Sequence, residues 1–150
     1  MIILISVLWV LYSVFAGTNE GFFFHHKDKA TDNLLFDLDG DGDRDVEIHQ
    51  IFSLMRLIVL IVMGVALYGI TQSLFFTAVL IFSYAMMFPF FHDGSYYVTR
   101  NNLNHNIYKK KWFAQSNTST AKSTRFLTPT VRTTAFILGL ISIVLTIIYA

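Results

Sequence analysis

Apolar residues run almost without interruption through three stretches of this chain, and the polar residues are gathered between them. Met1 to Asn19, Leu57 to Phe91 and Thr133 to Ala150 contain no Asp, Glu, Lys or Arg. A hydrocarbon core of about 30 Å is crossed by about 20 helical residues, so the first and last stretches each suit one membrane helix. The central run, counted from Ile51 to Phe91, would form a rod of about 60 Å, roughly twice that thickness. It is expected to fold back at Tyr68-Gly69-Ile70-Thr71-Gln72-Ser73, where a glycine is followed by polar residues inside an otherwise apolar run. The pattern predicts an all-α membrane protein: a single domain of four transmembrane helices near residues 2–18, 51–69, 72–91 and 132–149. By parity, the hydrophilic segments 19–50 and 92–131 then share one face. The chief rival is a three-helix reading that puts the two segments on opposite faces, and helix length speaks against it.

Composition supports a bilayer setting. Of 150 residues, 54% are hydrophobic and 14% charged, with a mean hydropathy of +0.53, which is too apolar for an ordinary soluble domain. Zero cysteines exclude disulfides, thiolate metal sites and cysteine nucleophiles. The formal net charge of +1 hides a strong asymmetry. Residues 18–50 hold nine acidic and three basic side chains, whereas Asp93 to Arg132 hold seven basic and one acidic. Opposite clusters tethered to one face should pack as an electrostatically held cap, with Arg56 snorkelling toward it. Lys and Arg all fall on or near that side, so the positive-inside rule puts the cap in the cytoplasm. Val14-Phe15-Ala16 has the small-residue spacing of a signal cleavage site, but no Lys or Arg precedes it, and the first segment is read as a retained helix.

Asp37-Leu38-Asp39-Gly40-Asp41-Gly42-Asp43-Arg44-Asp45 is the sharpest local pattern. Oxygen ligands at alternate positions can wrap a hard cation of calcium size, and Gly42 permits the turn that lets Asp45 close the shell. The segment resembles the D-x-D-x-D-G-x-x-D calcium loops of integrin-type FG-GAP repeats, including the flanking Phe36, Val46 and Ile48. That resemblance implies Ca2+ (or Mg2+) held by the side chains of Asp37, Asp39, Asp41 and Asp45 and the backbone carbonyl of Asp43. It departs from an EF-hand, whose closing Glu is replaced by Ile48, with Glu47 one place early. The plainer reading is an acidic turn that neutralises the lysines of the second segment.

Glu20, His25, His26, Glu47, His49, Arg56, His92, Asp93 and Arg100 gather near the membrane boundary. His49, Ser53 and Arg56 share one helical face, which should point into the bundle because ionisable groups avoid lipid. Phe91-His92-Asp93-Gly94 is expected to end the third helix at that level. His49, Arg56, His92 and Asp93 are therefore the candidate catalytic residues: a carboxylate and histidine pair, with an arginine to hold a lipid phosphate. The structural alternative pairs Arg56 with Glu20 or Asp93 and leaves the histidines hydrogen-bonded, and the missing hydrolase, zincin and phosphate-loop motifs favour it. His25-His26 suggests metal, but neighbouring helical residues rarely meet one ion, and Phe22-Phe23-Phe24 reads as an interfacial anchor.

Tyr96, Tyr97, Tyr108, Trp112 and Phe113 interleave with Arg100 and Lys109-Lys110-Lys111, which describes a segment lying on anionic lipid headgroups rather than on nucleic acid. Pro129 falls in the first turn of the last helix. Phe91-His92-Asp93-Gly94, Tyr96-Tyr97, Arg100, Leu103-Asn104, Tyr108, Trp112, Ser119-Thr120-Ala121 and Arg132 together resemble a family of short membrane proteins from Bacteroidota and their phages. The resemblance implies a bacterial or phage origin, hence a bacterial inner membrane or phage membrane, and no particular activity. The function expected is thus a small polytopic protein serving as a structural or accessory component of a membrane complex. Its partners would be the lipid bilayer, anionic headgroups, and other membrane or virion proteins or a second copy of itself. The alternative is a membrane-embedded enzyme or cation-regulated protein acting on lipid headgroups. A channel fits less well, since no charged residue falls at mid-membrane depth.

Overall fold

The computed structural model describes residues 1–29, 48–103 and 127–150, with side chains at 1–23, 51–103 and 127–150. Four helices, α1 (Ile2–Lys29), α2 (Ile48–Thr71), α3 (Leu74–Leu103) and α4 (Pro129–Tyr149), account for nearly all of it. Each contains a window long and apolar enough to cross a bilayer. The protein is an all-α integral membrane bundle. The acidic run 37–45 and the lysine run 109–111 lie outside the described residues.

The predicted hairpin is present. α2 ends at Thr71, and Gln72 takes the left-handed conformation with φ 52° while its N–H bonds the Tyr68 carbonyl at 2.9 Å. That single bond from the residue after the helix is an αL cap, usually built on glycine. Ser73 then caps α3, its hydroxyl accepting from the Phe76 N–H at 3.4 Å, and the Thr71 and Thr77 hydroxyls meet at 2.9 Å across the turn.

α3 is the hub. Ser6 and Trp9 of α1 meet Tyr84, Gly17 lies against His92 and Ser95, and Gly21 lies against Tyr96 and Thr99, so the contacts advance together and the two helices are parallel. α2 and α4 run the other way. Arg56 reaches His92 while Gly64 faces Ile81, and Arg132 reaches Asp93 while Gly139 faces Ser83 and Met87. The ends carrying both undescribed segments therefore lie at the same end of the bundle, which removes the three-helix alternative. Trp9, Leu67, Leu80, Tyr84, Met87 and Ile143 form the buried core. Trp9 donates its indole N–H to the Tyr84 carbonyl at 2.9 Å, and the Tyr84 and Ser6 hydroxyls pair at 2.8 Å, so its polar edges are matched.

Two helices are longer than their apolar runs suggest. α1 continues to Lys29, and α3 passes through Phe91-His92-Asp93-Gly94 to Leu103. The expectation that α3 stops there is wrong, because Gly94 is a buried residue inside the helix. Gly17 and Gly21 on α1 face Ser95 and Thr99 on α3, two small-xxx-small pairs in register, and this close approach gives both helices a packed face beyond the apolar run. A Cβ on Gly17 would stand 2.1 Å from the His92 carbonyl oxygen, so only glycine fits. Pro89 is accommodated within α3, as is common in membrane helices.

Candidate functional site

Helical rise places one ionic layer. Glu20 is 18 residues from the start of α1 and His92 is 18 from the start of α3, each about 27 Å along its helix. Arg56 and Arg132 stand 15 and 17 residues from the far ends of α2 and α4, about 22 and 26 Å. All four helices thus bring an ionisable side chain to one boundary of a core about 30 Å thick. No described charged residue lies deeper.

The layer is continuous from α2 to α4. Arg56 is ion-paired with the Oε1 of Glu20, and the same Oε1 lies 3.1 Å from the Nε2 of His92. Arg56 also reaches that Nε2 with an Nη at 3.1 Å. On the other edge of the ring, Nδ1 is 2.9 Å from the Oδ1 of Asp93, whose Oδ2 receives an N–H of Arg132 at 3.3 Å. Rings support the chain from within the bundle. Phe88 stacks on His92 with centroids 4.7 Å apart, and the Arg56 guanidinium lies 5.0 Å over the same Phe88 ring. The Arg132 guanidinium lies 5.8 Å over Tyr97. Such cation–ring contacts gain strength where water is excluded.

Burial differs along the layer. The Arg132 side chain is 2% exposed and that of Glu20 6%, against 22% for Asp93 and 27% for Arg56. The Nε of each of the two arginines lacks a hydrogen-bond partner among the described residues.

Of the candidate catalytic residues, Arg56, His92 and Asp93 come together, with Glu20 beside them. The side chains of His49, His25 and His26 lie outside the described ones, as do Glu47 and the whole metal set Asp37, Asp39, Asp41, Asp43 and Asp45. Among the described residues no group of three potential ligands has a metal-holding arrangement. Tyr96, Tyr97 and Arg100 were expected on a surface-lying segment. They belong to α3, where Tyr97 and Arg100 are each 3% exposed, because the helix continues against α1. The pairing of Asp93 with Arg132 was missed by sequence reasoning, although Arg132 is the single cation next to the last apolar run. An open groove of about 520 Å³ lies along α1, lined by Leu11, Tyr12, Val14, Phe15 and Thr18, and none of the ionic residues lines it.

No protein-family model matches the chain, and the curated proteins and solved structures likewise give no match.

Proposed function

We propose that this small integral membrane protein is a structural or accessory component of a bacterial or phage membrane complex, with its charged segments on the ionic-layer side as the docking surface. The observation that carries this reading is the closure of the layer. Within the described layer, Glu20, Arg56, His92, Asp93 and Arg132 are each engaged by a group from a neighbouring helix or from α3 itself. A lipid-modifying site needs a base and an anion holder converging on space a headgroup can enter, whereas here they converge on each other. The cytoplasmic placement of the cap follows from the Lys and Arg distribution. The acidic run 37–45 serves in this reading as a Ca2+ or Mg2+ site that orders the docking segment, on the strength of its alternating carboxylates.

Reconstitution into phosphatidylethanolamine and phosphatidylglycerol vesicles tests it. Headgroup release should stay at the protein-free level for the native chain and for His92→Gln alike. Release that depends on His92 would overturn the structural reading in favour of an enzyme. For the cation, calcium should raise the thermal midpoint of the detergent-solubilised protein, and Asp39→Ala or Asp41→Ala should abolish the rise. An unchanged midpoint in the native protein would remove the site.

A further inference from the structure

His92 holds a position that no single protonation state satisfies. Its Nε2 stands 3.1 Å from an acceptor, the Oε1 of Glu20 on α1, and 3.1 Å from a donor, an Nη of Arg56 on α2. Its Nδ1 is committed to Asp93 at 2.9 Å. A neutral imidazole has one N–H. With that proton on Nδ1 facing Asp93, Nε2 is a lone-pair acceptor and takes the Arg56 N–H. With both nitrogens protonated, Nε2 donates to Glu20 and turns an N–H and a positive charge toward the Arg56 guanidinium. The partner of Nε2 therefore changes from α2 to α1 when one proton binds.

We propose that His92 is a protonation-controlled latch on α2, its Nε2 holding Arg56 when neutral and, when charged, repelling it and competing for the Glu20 Oε1 with which Arg56 is ion-paired. The surroundings suit a latch. The groups facing His92 are Glu20 from α1, with the Tyr12 ring beyond Phe88, Arg56 from α2, and Asp93 on α3, which also receives Arg132 from α4. Arg56 and His92 further share Phe88, with the ring stacked on the imidazole and lying beneath the guanidinium. Charging the imidazole thus places two cations against one ring. α2 is also the helix best able to respond. Only 6% of its span is buried, against 17% to 28% for the other three. At the ionic end its contacts include Arg56 with Glu20 and His92 and the Phe52 ring with Phe23, while its opposite end is anchored by buried Leu67 and the Thr71–Thr77 hydroxyl pair. Release at one end of a helix pinned at the other is a hinge motion. Histidine is the side chain whose ordinary titration falls between pH 5 and 8, where such a latch would be used.

The chain has no native cysteine, so spin labels can be placed at will. Met55→Cys on α2 and Val131→Cys on α4, both lipid-exposed and near the ionic end, report the separation by pulsed electron resonance in vesicles at pH 8 and pH 5. The background should carry Gln at His25, His26, His49 and His105, which leaves His92 as the sole imidazole. The expected result is a longer and broader distance at pH 5, by roughly 2 Å or more, the scale of helix shifts in known switches. His92→Gln and, separately, Arg56→Gln should abolish the dependence. Arg56→Gln keeps the imidazole while removing the competing cation together with its ion pair to Glu20, so it decides the matter even if His92→Gln fails to fold. A distance that does not change between pH 8 and pH 5, or a change that survives Arg56→Gln, overturns the latch. Either result leaves the structural role proposed above standing, because that role is read from headgroup release.

Discussion

α2 and α4 look like counterparts. Both run antiparallel to α3, both are apolar, both carry an arginine into the same layer, and both place a glycine near mid-span. They are attached in different ways. A Cβ on Gly139 of α4 would lie 2.7 Å from Met87 Cγ and 2.8 Å from the Ser83 carbonyl oxygen, whereas one on Gly64 of α2 would meet Ile81 at an ordinary 3.8 Å. Phe136 on α4 stacks on Phe90 with centroids 4.4 Å apart. The Arg132 side chain is closed over at 2% exposure, and that of Arg56 keeps 27%. In a bilayer, lipid tails are as apolar as leucine, so hydrophobicity alone does not bring helices together. Close backbone approach and polar contacts do, and α4 combines the close approach at Gly139 with the Arg132–Asp93 pair, while α2 has polar contacts at its two ends and no comparably close approach at Gly64.

The strongest way to break this contrast is to fill the two glycines. Gly139→Val places side-chain atoms against a backbone carbonyl that cannot swing aside. Overpacking of that kind costs about 3 kcal/mol, enough to separate α4 from α3. Gly64→Val finds ordinary contact distances and should cost well under about 1 kcal/mol. Unfolding both variants in mixed detergent and dodecyl sulfate checks the pair. Equal losses would mean that α2 and α4 are attached alike.

The ionic layer offers the next test, and here the isosteric changes remove charge without opening a cavity. Asp93→Asn leaves Arg132 buried with no carboxylate beside it among the described residues, so a cation that cannot reach water loses its compensation. A loss of roughly 2 kcal/mol is expected, below the full value for a broken buried pair because the new amide oxygen still accepts. Glu20→Gln strands Arg56 instead, and a partly exposed arginine on a loosely held helix can turn toward the headgroups. Its loss should stay near about 1 kcal/mol. A larger effect for Glu20→Gln would show that Arg56, not Arg132, is the trapped cation.

What could be read from the chain follows from the same physics. Charges in an apolar sequence stand out, so Glu20, Arg56, His92 and Asp93 were legible as a boundary cluster, and so was the reversal near Thr71. Gly17 and Gly21 were legible too, as a G-x-x-x-G pair, yet they lie where an apolar run gives way to polar residues and were passed over as a helix end. Gly94 misled in the opposite direction. After an aromatic run it reads as a stop signal, and what carries α3 through it is the α1 surface some 75 residues away in sequence, a pairing local pattern cannot contain. The Asp93–Arg132 pair was hidden for a similar reason, since helix rotation decides which carboxylate each arginine meets.

Gly69 sharpens the comparison by the smallest margin. It lies in the last turn of α2, nothing stands within 4 Å of where its Cβ would be, and no unusual backbone angle requires glycine there. Its carbonyl accepts the Gln72 side-chain amide at 2.8 Å, a bond that alanine would leave in place. The residue that does need conformational freedom is Gln72, three positions on. Glycine inside a helix costs about 0.5–1 kcal/mol relative to alanine, less near a helix end, so Gly69→Ala should stabilise the bundle by roughly 0.5 kcal/mol. The gain should appear as a small upward shift in the dodecyl sulfate midpoint. A loss instead would mean that this face of α2 is closely covered in the membrane, and that α2 is as firmly packed as α4.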